Sequence, residues 1–588
     1  MYVILNTINS PKDLKKLSIS ELKQLSGEVR KALINRLSKC GGHFGPNFGI
    51  VEATIALHYV FDSPSDKIVF DVSHQCYTHK ILTGRRLSFT DDAHFGDISG
   101  YTEPAESEHD FFNIGHTSTS VSLSAGLAKG RDLMGRNENV IAVIGDGSLS
   151  GGEALEGIDF AGEMNTNLII VVNDNDMSIA ENHGGMYKNL KALRDGNGKA
   201  ETNLFTAMGL DYVFVKEGND LEQLIDAFKS VKGAVRPVAI HIVTQKGKGY
   251  RPAEENREEW HWHMPFDTET GEGKWDWSGE NYGSITGNYL TEKMKKDKAV
   301  CGVNAATPGI MGFDADKRII FKEQFFDVGI AEETAAALAS GIARNGGKPV
   351  FGVNSTFMQR TFDQIVQDIC LNRTPVTIAV FSASVFGMSD ATHIGIYDIP
   401  MISNIPELVY LAPTCAEEYL AMLDWSVEQD KYPVAIRVPC NGVIHDDRGF
   451  PDDYSDLNKY EVTQKGKDIA LIPLGDFYQI GEQTVEELAK RNITATLINP
   501  RYITGLDTEL LESLKAEHKA VITLEDRVLD GGFGQKIAEY YGDSGMKVKC
   551  YGLEKKFYDR YNADELLRQL GIVPEKIAEN AAALIGRA

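Results

Sequence analysis

Asp146 and Asn175 are the residues whose types and spacing most directly suggest chemistry. Asp146 lies in Gly145-Asp146-Gly147, where the apolar run Val140–Ile144 stops. Asn175 closes Asn173-Asp174-Asn175, where a second apolar run, Leu168–Val172, stops. Between them, small residues lead into a helical pattern through Ala154, Leu155, Ile158 and Ala161. Strand, turn, helix and strand make a βαβ unit with both strands buried. In open α/β sheets ligands sit outside the carboxyl ends of the strands, where both residues fall. One anionic and one neutral oxygen ligand beside a glycine-rich turn suit Mg²⁺, which also takes phosphate oxygens and water. The N–H groups of the turn and the start of the next helix suit a diphosphate.

Histidines form a second pattern. His43 sits in Gly41-Gly42-His43-Phe44-Gly45, and His74 in Asp71-Val72-Ser73-His74-Gln75 just past the apolar Ile68–Phe70. His116 sits in Gly115-His116-Thr117-Ser118-Thr119-Ser120, before a small-residue helix. A lone histidine is more often a satisfied structural residue than a catalytic one. Three, each in a glycine-rich loop or at the end of an element, predict a shared site. The apolar Ala239–Thr244 reads as another buried strand, followed by a loop that ends at Tyr250. His261 lies in the acidic run Glu254–Trp262, where packing among Trp260 and Trp262 is the plainer reading of the residues alone.

The chain has 588 residues, too many for one core, so three domains are expected. Composition is ordinary for a soluble globular protein, with 42% hydrophobic and 24% charged residues, and the βαβ unit makes α/β the expected fold class. A formal net charge of −24 argues against nucleic-acid or membrane-surface partners. No apolar run approaches the roughly 20 residues that a membrane span needs. The N-terminal MYVIL is too short for the apolar core of a signal peptide. Seven cysteines without CxxC spacing suggest neither a disulfide frame nor a zinc site, and fit a cytoplasmic location.

Taken together the motifs carry a resemblance. GDG followed after about thirty residues by NDN resembles the thiamine-diphosphate motif of the transketolase superfamily. GGHFG, DVSHQCYTHKILTGRR, GHTSTS, GDG and NDNDMSIAEN, in that order, resemble the 1-deoxy-D-xylulose-5-phosphate synthase family over nearly the whole chain. The resemblance implies a diphosphate-binding domain over 1–270, a pyrimidine-binding domain over 285–455 and a transketolase-type C-terminal domain over 460–588. A polar linker is expected within 266–284. Thiamine diphosphate would be held by His74, Gly115, His116, Thr117, Gly147, Ser148, Asn175, Tyr250, Glu332 and Phe357. Mg²⁺ would be held by Asp146, Asn175 and Met177. Glu332, in Phe326–Glu332 read as a strand ending in a carboxylate, matches the glutamate that bonds N1′ of the aminopyrimidine. That bond favours the imino tautomer, and an apolar setting would raise the pKa of the acid and help it share the proton. His43, His261, His393 and Arg360 match further active-site residues.

The same resemblance exposes departures. The connection between Asn182 and Met208 is short, where the family carries a longer segment. The family holds the phosphate of its acceptor, glyceraldehyde 3-phosphate, with a tyrosine and two arginines. The matching positions are Asn354, Ser382 and Cys440. Ser389 and Thr334 replace a further family aspartate and histidine. Losing two guanidinium forks should cost several kcal/mol, at about 1.5–3 kcal/mol per charged hydrogen bond. The expectation is a homodimeric transferase that decarboxylates pyruvate and passes the two-carbon unit to an aldehyde, for isoprenoid and thiamine precursors. Two alternatives stand beside it: a paralogue or transketolase-like enzyme with another acceptor, and a non-catalytic thiamine-diphosphate-binding module.

Overall fold

A computed structural model describes residues 2–274 and 279–587. Part of the expected linker, 275–278, lies outside the described residues. The chain forms two compact units, one of residues 1–279 with 329–331, the other of 280–328 with 332–588.

The first unit is built on a five-stranded parallel sheet. Its strands are β2 (Lys67–Phe70), β3 (Val140–Gly145), β4 (Ile169–Asp174), β5 (Asp211–Val215) and β6 (Val238–Val243), in the order β2-β3-β4-β6-β5. A separate antiparallel pair, β1 (Gly42–His43) with β7 (Trp262–His263), places His43 opposite Trp262. The continuous apolar runs follow from burial on both faces. Val140, Ala142 and Ile144 pack against Val121 and Ala125 of helix Ser120–Leu133, and against Ala154 and Ile158 of helix Gly152–Glu163. Ile141 and Val143 point the other way, into a core with Leu33, Ile55 and Leu57. Helix Ile19–Cys40 starts where Ser18 and Glu21 cap it reciprocally. In helix Val51–Val60 every residue but Tyr59 is buried.

The second unit carries two sheets. The first has the order β12-β13-β11-β10-β8-β9, all parallel. Its strands are β8 (Val300–Asn304), β9 (Phe325–Asp327), β10 (Lys348–Asn354), β11 (Thr377–Phe381), β12 (Val409–Leu411) and β13 (Val434–Arg437). The other has the order β14-β16-β15-β17-β18, with β14 (Glu461–Gln464) antiparallel to β16 (Ala495–Asn499). The remaining strands are β15 (Asp468–Pro473), β17 (His518–Val528) and β18 (Lys547–Leu553). One apolar cluster joins Val303, Val353 and Val380 of the first sheet to Ile472, Ile498 and Val521 of the second, which makes them a single compact body.

One expectation needs correction. Glu332 does not end a strand: β9 stops at Asp327, Gly329 turns the chain at φ +76°, and Glu332 is the first residue of helix Glu332–Arg344. Strand β17 runs through Glu525 and Asp526. The register with β18 shifts between Leu524 and Val528, and Arg527 and Arg437 pair the two buried acids.

Candidate active site

The carboxyl ends of β3 and β4 bring Asp146 to the Asn175–Asn182 loop. Asp146 is buried, and its Oδ2 accepts the backbone N–H of Met177 (3.0 Å) and the side-chain amide of Asn182 (2.7 Å). Burial, with Asp174 nearby, raises its pKa to about 7. Asp174 behaves differently. Burial would raise it too, but His241 (2.7 Å) and Arg194 (2.7 and 2.8 Å) hold it below the usual range. Asp174 is therefore neutralised by its neighbours, whereas Asp146 is a buried acid short of cations. The buried Oδ1 atoms of Asn175 and Asn182 accept no hydrogen bond among the described residues. These are hard oxygen donors with unused capacity. The described residues contain no cluster of three His, Cys, Asp or Glu that could hold a metal, so any ion here would need the amide and carbonyl oxygens as well.

The turn is built for close approach. A Cβ on Gly147 would lie 2.9 Å from Ser178 Oγ, and one on Gly151 would lie 2.1 Å from Ser118 Oγ. A 3₁₀ turn, Gly147–Ser150, intervenes before helix Gly152–Glu163 begins. Ser148 is buried, and its carbonyl accepts the Ser118 hydroxyl (2.8 Å). Gly115, His116 and Thr117 lie on the loop that runs into Ser118.

Three of the histidines cluster. His43, His74 and His261 form a ring-to-ring triangle, with centroids 4.9 Å apart for His43–His74, 5.8 Å for His43–His261 and 5.5 Å for His74–His261. Trp260 instead stacks on His263 at 4.0 Å, which leaves His261 facing the other two histidines. Burial drives the pKa of His261 well below the ordinary value, and its Nδ1 accepts or donates no hydrogen bond among the described residues. Tyr250 packs its ring between Phe44 (5.2 Å) and Trp260 (5.0 Å).

Several supporting residues carried no role in the sequence reading. Asn47 donates to the carbonyls of His43 (2.8 Å) and His74 (2.7 Å), tying two histidine loops together. Asp71 accepts the N–H groups of Ser118 and Ser120, fixing the Gly115–Ser120 loop. Lys246 is buried and donates to the Ser178 carbonyl (2.6 Å); burial lowers its pKa to about 7, with Asp146 opposing.

In the second unit Glu332 is buried at its helix N-terminus, and its Oε2 makes no hydrogen bond among the described residues. Burial raises its pKa; Arg360, with Nη1 3.6 Å from Oε2, pulls the other way. Phe357 and His393 meet edge to face at 5.6 Å. His393 Nδ1 lies 3.0 Å from Asp390, whose pKa falls to about 2: burial opposes the shift, but the bonds from His393 and Thr392 outweigh it. Of the departing positions, Ser382 donates to Asn354 Oδ1 (3.1 Å), and the Cys440 N–H lies 3.0 and 3.2 Å from the two oxygens of Asp476.

Comparison with known proteins fits this arrangement. A family described as 1-deoxy-D-xylulose-5-phosphate synthase matches residues 5–202. The transketolase thiamine diphosphate binding domain matches 119–295, the transketolase pyrimidine binding domain 280–442 and the transketolase C-terminal domain 458–577. Among curated relatives, the 1-deoxy-D-xylulose-5-phosphate synthase of Symbiobacterium thermophilum is 37% identical, over 99% of this chain and 95% of that protein. That of Shouchella clausii is 37% identical over 99% of each. That of Clostridium botulinum is 38% identical over 98% of this chain and 99% of its own.

Proposed function

The chain belongs to the 1-deoxy-D-xylulose-5-phosphate synthase family, and we propose from that premise that it decarboxylates pyruvate and transfers the two-carbon unit to an aldehyde. Membership makes it a thiamine-diphosphate-dependent transferase that forms carbon–carbon bonds. In the family the acceptor is glyceraldehyde 3-phosphate, and the product feeds isoprenoid and thiamine precursors.

The observation that carries this reading is Glu332: a buried carboxyl with a raised pKa and an oxygen, Oε2, that accepts no hydrogen bond among the described residues. Such a group holds a proton and offers it to a ring nitrogen, the task required at aminopyrimidine N1′. Thiamine diphosphate supplies, when bound, the acidic carbon that accommodates charge as CO₂ leaves. The chain's own residues do the rest. Asp146, the Asn175 amide oxygen and the Met177 carbonyl would hold Mg²⁺; the hard-oxygen set and the buried Asn175 Oδ1, which accepts no hydrogen bond among the described residues, fit that ion. Gly115, Thr117, Gly147 and Ser148 offer backbone and hydroxyl donors to the diphosphate, with His74 and His116 against the cofactor. Phe357 and Tyr250 supply aromatic surface. His43, His261 and His393 orient donor and acceptor and move protons, and Arg360 holds a carboxylate or hydroxyl. The domains divide at 1–270, 285–455 and 460–588, and the working form is a cytoplasmic homodimer.

The test is to supply thiamine diphosphate, Mg²⁺ and pyruvate, following CO₂ release and exchange of the cofactor C2 proton in deuterated solvent. Exchange and acceptor-dependent CO₂ release support the reading. Cofactor binding without exchange leaves the non-catalytic module in its place.

A further inference from the structure

Three neighbouring strands of the second unit end in one polar cluster. Asn354 is the last residue of β10, Ser382 follows β11, and Cys440 lies just beyond β13. Ser382, held at φ +55°, gives its hydroxyl to Asn354. The loop bearing His393 presses on the same spot: a Cβ on Gly395 would lie 1.9 Å from the Ser382 carbonyl oxygen. Phe357, three residues past Asn354, touches the His393 ring. The cluster therefore adjoins the second-unit residues assigned to the reaction.

Its charge is lopsided. Arg437, the guanidinium at the end of β13, is fully committed. Nε lies 2.8 Å from Asp398 Oδ2, Nη2 lies 3.3 Å from Asp398 Oδ1, and Nη1 is bonded to Asp526. Asp526 keeps a buried Oδ2 with no hydrogen bond among the described residues. Asp476 is buried on the Cys440 N–H, and burial beside Asp526 lifts its pKa to about 6. Three aspartates thus surround one arginine. Arg360 faces the Glu332 carboxylate. A phosphate dianion needs guanidinium forks or free N–H groups. Here it would meet carboxylates in a poorly solvated setting, where like charges repel strongly. A hydroxyl suits the same surface, since it donates to an open carboxylate oxygen and accepts from an amide.

We propose that the acceptor of this chain is an unphosphorylated hydroxy-aldehyde, with its hydroxyls received by Asn354, Ser382 and the Cys440–Asp476 pair. The proposal rests on the pyruvate-decarboxylating reading above. In the reaction the bond between C1 and C2 of pyruvate breaks and C1 leaves as CO₂. The electron pair remains at C2, which bonds the aldehyde carbon, and the aldehyde oxygen takes one proton. The product is a neutral hydroxyketone, and no oxidant or reductant enters.

The full-length protein, with thiamine diphosphate, Mg²⁺ and pyruvate, is given D-glyceraldehyde or D-glyceraldehyde 3-phosphate, and ketose formation is measured. A kcat/KM at least about tenfold higher for glyceraldehyde is expected. Equal or better use of the 3-phosphate overturns the proposal while leaving the decarboxylation reading intact. Absence of CO₂ release and of C2 proton exchange with every acceptor overturns both. Asp476→Asn, checked for folding by thermal melting, should raise relative use of the 3-phosphate over glyceraldehyde about threefold or more. An unchanged ratio removes Asp476 from the proposal.

Discussion

The carboxylate of Asp71 accepts the backbone N–H of Ser118 at 2.8 Å across 47 positions of sequence. Its second oxygen accepts the N–H of Ser120 at 3.0 Å. Ser118 sits at φ +77°, a backbone state that a side-chain-bearing residue adopts only when its surroundings hold it there. Asp71 is itself fully buried, so the acid and the strained loop are made for each other. Asp71→Asn would turn an N–H₂ group toward one of those donors. A charged hydrogen bond contributes about 1.5–3 kcal/mol, and the variant should lose at least that much unfolding free energy in urea titrations. Thiamine diphosphate affinity should weaken in parallel, because the loop carries Gly115–Thr117. A variant as stable as the parent would mean that the loop holds its shape without the clamp.

Asp146 predicts a pH-dependent metal requirement. Its pKa of about 7 reflects burial and the neighbouring Asp174. A divalent cation binds the ionised form, so proton and metal compete. Below pH 7 the apparent Mg²⁺ affinity should fall, approaching about tenfold per pH unit. Above pH 8 it should level off. Calorimetric titration of Mg²⁺ at pH 6 and pH 8, with cofactor present, reads this directly. Asp146→Asn should weaken Mg²⁺ binding and abolish the pH term. A flat profile in the parent protein would place the ion elsewhere.

The places where sequence reading succeeded and failed have physical causes. The ends of β3 and β4 were legible because strands buried on both faces must be apolar and must stop at polar residues. Asp146 and Asn175 stand at those stops. Glu332 was harder to place. Phe326–Glu332 reads as one strand, but Gly329 takes a left-handed φ and lets a helix begin at Glu332. Glu525 and Asp526 are charges inside β17, a position no apolar pattern marks. They are tolerated there because Arg527 and Arg437 neutralise them. Asn47, Asp71 and Lys246 act through long-range contacts that no local pattern encodes. The His43–His74–His261 triangle was half legible: the loops were recognised, but pairing of β1 with β7 is what carries His261 to His43.

Glu332→Gln isolates the proton-holding role. Glutamine keeps the size and the helix-terminal position but cannot give up or receive the proton. General acid–base groups contribute typically 10²- to 10⁴-fold, so turnover should fall by about that range. Exchange of the cofactor C2 proton should slow by a similar factor while cofactor affinity stays within about threefold. Proton NMR in deuterated solvent gives the exchange rate. A large loss of binding with normal exchange per bound cofactor would show that Glu332 anchors the cofactor and does not activate it.

A buried histidine pair away from the candidate site sets an acid limit on stability. His58 Nε2 lies 2.9 Å from His79 Nδ1, and His79 Nε2 lies 2.8 Å from Asp110 Oδ1, which Arg85 also pairs at 2.9 Å. Burial, reinforced by the neighbouring His79, pushes the pKa of His58 well down. Burial also lowers His79, though Asp110 opposes it. The native state keeps His58 neutral, while the unfolded chain takes up a proton near the ordinary histidine value of about 6.5. Unfolded protein therefore binds more protons in that range, and stability is full above about pH 6.5 and declines as pH falls. Each extra proton contributes a slope of up to about 1.4 kcal/mol per pH unit. Urea unfolding between pH 7.5 and 5 should show the decline. His58→Gln, which cannot be protonated and still offers a partner to His79, should flatten it even if its stability at pH 7.5 is lower. A slope identical in the variant would assign the acid sensitivity to other groups.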